Sequence, residues 1–92
     1  MSCVFMVIHY PAPGRREALL RAMAERAELL AAAPGCVEVG AWQERGDRLV
    51  GISRWESEAA FRAAVPPGFG EPSDEIPEGE TRPREKFLLF PG

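Results

Sequence analysis

The chain has 92 residues, a length that holds one domain, and an apolar share of 46% with 27% charged residues, an ordinary globular composition. A net charge of -3 with no cluster of Lys and Arg excludes phosphate-backbone recognition driven by counterion release. No apolar run approaches the ~20 residues of a membrane span. The opening Met1 to Ile8 lacks the basic start and small-residue cleavage site of an export signal, so a cytoplasmic location is expected. Cys3 and Cys36 then read as reduced, buried thiols. With a single histidine and no CxxC, no metal site is expected.

Cys3 to Tyr10 is β-branched and aromatic on both faces, which suits a strand covered on both sides. Pro11-Ala12-Pro13-Gly14 ends it and leads into a helix from Arg15 to Ala33, whose Leu19, Met23, Ala27 and Leu30 form one apolar stripe. Pro34-Gly35 stops that helix. Cys36 to Glu44 and Leu49 to Trp55, joined by Arg45-Gly46-Asp47-Arg48, predict an antiparallel hairpin. Ser57 is placed to cap a short helix from Glu58 to Val65. Residues 66–83 form a Pro- and Gly-rich acidic loop, long for so small a domain and predicted to act as a mobile flap. Its Asp74, Glu75, Glu78 and Glu80 read as a solvated charge run. Glu85 to Phe90 predicts a last strand.

Strand, helix, strand, strand, helix, strand is the α+β, ferredoxin-like βαββαβ order, with a four-stranded antiparallel sheet and both helices on one face. The other face is then bare. A first strand apolar on both sides predicts that a second copy covers it, giving a homodimer through the sheet face.

Pro13-Gly14-Arg15, Ala33-Pro34-Gly35-Cys36 and Arg54-Trp55-Glu56-Ser57 with Phe61 downstream resemble the antibiotic biosynthesis monooxygenase (ABM) family of the dimeric α+β barrel superfamily, from about Val4 to Val65. The resemblance implies a single ABM-like domain over residues 1–92, with a small-molecule pocket between sheet and helices. It implies either a cofactor-independent monooxygenase, an oxidoreductase acting on a small aromatic or quinol-type substrate, or a non-catalytic binding or accessory protein of the same fold. Trp55 matches a strand-end Trp that lines the substrate cavity in oxygenating members. Here it polarises a substrate, locks strand to helix as a core residue, or does both. The Val7 position faces the family pocket. Strand parity puts Phe5 and His9 on the same side, with His9 as candidate base or as a structural imidazole tied to a loop. Phe61 is expected as a pocket wall. Tyr10 and Trp42 read as structural, and Glu56 and Glu58 suit a helix start. Haem-degrading members use an Asn at the Val7 position and a His in or after the second helix. Neither is present, so haem ligation is not expected.

Overall fold

The computed structural model describes residues 1–92. Six elements run in the order β1 (Cys3–His9), α1 (Arg16–Ala31), β2 (Cys36–Gln43), β3 (Leu49–Trp55), α2 (Glu58–Ala64) and β4 (Glu85–Leu89). The strands form one antiparallel sheet in the order β2-β3-β1-β4. This is the ferredoxin-like arrangement expected from the apolar patterning. Trimming at element ends, such as α1 starting at Arg16, reflects the absence of a side-chain cap at Arg15.

The register explains how a short chain builds two faces. Phe5 pairs with Ser53, Val7 with Gly51 and His9 with Leu49, so alternate residues of β1 and β3 point toward the helices. Their neighbours point the other way. Met6 lies between Ile52 and Phe87, with Val4, Ile8, Val50 and Leu89 around it, and none of these is buried. Trp42 stands on the same side, opposite Val50, and is 60% exposed. One face of the sheet is thus apolar and open.

The corner between β3 and α2 is the most tightly packed part of the molecule. Ser57 caps α2 by accepting from the Ala60 N–H at 3.1 Å. That fixes the helix so that Phe61 drops onto Phe5 and Trp55, with ring centroids 4.8 and 5.9 Å apart. Trp55 and Phe61 have no exposed surface, and Cys3, Phe5 and Val65 complete this cluster. The turn between α1 and β2 is sewn to the same corner. Gly35, at φ +84°, accepts from the Glu56 N–H at 2.8 Å, and a Cβ there would lie 2.5 Å from that of Ala60.

Residues 66–83 do not run free over the surface. Arg62 on α2 holds Glu71 at 2.7 Å. Farther along, the Ala12 N–H donates to Gly79 O and the Thr81 N–H to Tyr10 O, each at 2.8 Å, clamping the segment to the end of β1. Of the expected charge run, Asp74, Glu75 and Glu78 are exposed, but Glu80 is buried. The clamp turns its side chain inward, away from the water that composition alone assigned to it. Cys36 departs from expectation less sharply, being half-buried where full burial was expected.

Candidate functional site

Between the sheet and α1 lies a cavity of about 100 Å³. Its walls are the helix-facing residues of β1 (Phe5, Val7, His9), the α1 stripe (Leu19, Met23, Ala27, Leu30), and backbone and side chains of β2 and β3. The apolar stripe that predicted the helix is the same surface that roofs the cavity. Gly51 keeps space open on the floor, since a Cβ there would stand 3.1 Å from Val7 and 3.8 Å from Met23. Phe69, from the long loop, stacks on Phe5 at 5.7 Å and closes one side.

A few polar groups converge on this apolar space, the pattern of a small-molecule site. His9 is 6% exposed, and its Nδ1 faces Glu80 Oε1 at 3.4 Å. Those two atoms have no other partner and approach without hydrogen-bond geometry. Such contacts in unliganded sites commonly tighten when a ligand binds. Glu80 also accepts from Arg84, whose Nε and Nη2 lie 2.9 and 2.7 Å from Oε2. Because an ionised carboxylate only accepts, Glu80 favours the tautomer with the proton on Nδ1. Nε2 is left with no protein partner and, unlike Nδ1, is not sealed off. Burial, reinforced by the Arg84 charge, holds the imidazole below its ordinary pKa of 6.5, while Glu80 opposes this. His9 is therefore neutral at pH 7 and able to take a proton through Nε2.

At the other end of the cavity Ser53 accepts from the Trp55 indole N–H at 2.9 Å. Its own O–H proton is not used by the protein, so the hydroxyl can donate into the cavity.

The fold brings together Phe5, Val7 and His9 on the cavity wall, but not the two aromatics expected beside them. Trp55 and Phe61 lie in the core beneath it and do not line it, because α2 packs Phe61 over the Trp55 indole. Trp55 is packed as a core residue. Its influence on the cavity passes through Ser53. Sequence reasoning missed Glu80, Arg84 and Phe69. Glu80 was hidden in an acidic run, and the only local hint was Gly79, whose φ of +83° permits the turn that aims it inward.

A profile of the family described as Antibiotic biosynthesis monooxygenase matches residues 1–65, well over half of the chain. The chain belongs to this family. Among solved structures, the ABM-family chain superposes on Rv0793 from Mycobacterium tuberculosis with a TM-score of 0.79 at 23% identity, covering 99% of this chain and 95% of that one. A variant of SnoaB, a cofactor-independent oxygenase from Streptomyces nogalater, gives a TM-score of 0.71 at 24% identity, covering 98% and 92%. The heme-degrading protein Rv3592 from M. tuberculosis gives 0.67 at 18%, covering 98% and 93%. At these identities the likeness establishes the fold. No curated protein matches the chain. The family's variety leaves the chemistry to the residues of this ABM-family cavity.

Proposed function

We propose that the protein is a cofactor-independent monooxygenase acting on a small aromatic or quinol-type substrate, with His9 as general base. The observation that carries this reading is a neutral imidazole on the wall of an apolar cavity, backed by a buried carboxylate. Nε2 would take the phenolic proton of the substrate, and the Glu80 carboxylate would stabilise the imidazolium formed. The electron-rich anion then reacts with dioxygen. For a hydroquinone ring the balance is C₆H₆O₂ + O₂ → C₆H₄O₃ (the hydroxyquinone) + H₂O, with all four electrons supplied by the substrate. The Ser53 O–H would donate to the developing oxyanion, and Trp55 would act as a positioning residue that holds Ser53. Phe5 and Val7 would contact the ring, and Phe61 would support Phe5 from below.

Haem does not fit this site. A cavity of about 100 Å³ is far smaller than a porphyrin, and α2 carries no His.

The open sheet face supports a homodimer. A 10.1 kDa monomer of ordinary shape exposes roughly 5,300 Å², whereas this chain exposes 6000 Å². The excess is close to the ~800 Å² that one partner buries in a standard interface. A second copy on the Met6 face would remove it. No helix is long and apolar enough to cross a membrane, and a cytoplasmic setting agrees with two unpaired thiols.

The absence of Trp55 from the cavity favours a second reading, a non-catalytic protein that holds a small apolar metabolite. Oxygen consumption decides between the two. The first reading expects substrate-dependent uptake with some member of a panel of hydroquinones, naphthols and hydroxylated anthrones, abolished in His9→Ala. A panel-wide failure, with wild type and His9→Ala equally silent, leaves the binding protein.

A further inference from the structure

The opening of the cavity is positively charged although the chain as a whole is negative. Arg26 from α1 and Arg84 from the approach to β4 both line the cavity, and Lys86 sits beside them on β4. Both cations lie near the Phe69 ring, the Arg26 guanidinium 5.0 Å and the Lys86 ammonium 5.6 Å from its centroid. Three carboxylates lie around this group. Glu80 is occupied by Arg84, and Glu71 is held by Arg62 at 2.7 Å. Glu75 lines the outer cleft with Arg84 and Lys86 but pairs with neither. Arg26 and Lys86 make no ion pair, and the Glu71 charge reaches Lys86 only through space, so both cations at the mouth are free to bind an anion.

Size sets the second constraint. A sealed apolar cavity of ~150 Å³ holds one benzene. The cavity here is about 100 Å³ and open on one side. It accepts one ring, with any substituent projecting into the mouth.

We infer that the ligand of this site is a monocyclic aromatic acid of the quinol type, a dihydroxylated ring whose carboxylate is held by Arg26 and Lys86 at the cavity mouth. The inference rests on the cavity being the substrate site, as proposed above, and deepens that reading by naming the substrate class. Within the ring, one hydroxyl would lie toward His9 Nε2 and the ring faces would meet Val7, Met23 and Phe69. Attraction of the carboxylate by two unpaired cations near a water-poor wall raises affinity and association rate, and salt weakens both.

The test is calorimetric titration of the full chain with 2,5-dihydroxybenzoate, its uncharged methyl ester and hydroquinone, at low and at physiological ionic strength. The acid is expected to bind about tenfold more tightly than the ester at low salt, a preference of ~1.4 kcal/mol, and to lose much of that preference as salt rises. Arg26→Gln and Lys86→Met should each narrow the acid-to-ester ratio by about threefold or more. Gly51→Val, which fills the floor, should weaken all three ligands. Equal binding of acid and ester, no binding of any ligand, or a ratio unmoved by both charge substitutions overturns the inference. So does acid binding that persists undiminished in a folded Gly51→Val protein, because the cations would then act as a surface patch. Oxygen uptake with hydroquinone but no preference for the acid defeats this inference alone. Preferential acid binding without any oxygen uptake defeats the oxygenase reading alone.

Discussion

Replacing Glu80 by Gln separates a buried carboxylate that organises the site from one member of a solvated acidic run. The substitution keeps the shape and removes the charge. Glu80 accepts a charge-assisted hydrogen bond from Arg84 Nε at 2.9 Å, and Arg84 Nη2 lies 2.7 Å from the same oxygen as an ion pair. A bond to a charged group contributes ~1.5–3 kcal/mol against ~0.5–1.5 for a neutral one, so losing the charge costs about 1 kcal/mol for the bond and up to about 1 more for the ion pair. The Arg84 side chain is 28% exposed, and water will recover part of this, leaving roughly 1–2 kcal/mol. In a domain of this size each kcal/mol moves Tm by ~4–8 °C, so Glu80→Gln should lower Tm by about 5–15 °C. Thermal unfolding followed by circular dichroism at pH 7 measures it. The exposed Glu78 supplies the control, and Glu78→Gln should stay within ~0.5 kcal/mol of wild type. If both substitutions leave Tm unchanged, Glu80 is solvated and the support claimed for His9 is absent.

Three further predictions follow from the same geometry. His9 is the chain's one histidine, so its NMR titration is unambiguous. Its midpoint should lie below 6.5, move lower in Glu80→Gln, which removes an opposing charge, and move higher in Arg84→Met; shifts in the same direction would refute the charge assignment. Because the folded value is depressed, the His9 contribution to stability is complete above pH 6.5 and is lost as pH falls through the folded value. His9→Gln should therefore flatten the fall in Tm below that pH. Met6→Glu, at the centre of the open face, should convert a dimer to a monomer in light scattering, and a monomeric wild type would contradict the assigned interface. Phe61→Ala should cost ~3–5 kcal/mol, read by chemical denaturation, because it empties the space between Phe5 and Trp55.

The elements were legible because their signals are local. The spacing of Leu19, Met23, Ala27 and Leu30 specifies a helix face wherever it docks, and the parity of Phe5, Val7 and His9 puts them on one side of β1 in any sheet. Even the open face could be read from β1, because a strand apolar on both sides must be covered on both sides. Trp55 shows where this stops. The family resemblance placed it on the helix side of the sheet, and that side carries both a core and a cavity. Which of them a residue joins depends on where α2 lands.

The amino-acid sequence by itself determined the order of elements, the two-faced sheet and the family, since hydrophobic periodicity, caps and turn residues act within a few positions of one another. Only the tertiary structure decided the chemistry of the site. Glu80 meets His9 because hydrogen bonds from Ala12 and Thr81 clamp a distant loop to the end of β1. Trp55 is withheld from the cavity because Phe61 covers it, and the mouth becomes positive because Arg26, Arg84 and Lys86 arrive from separate elements. Convergence of that kind depends on which side chains meet across the fold, and no spacing within the chain records it.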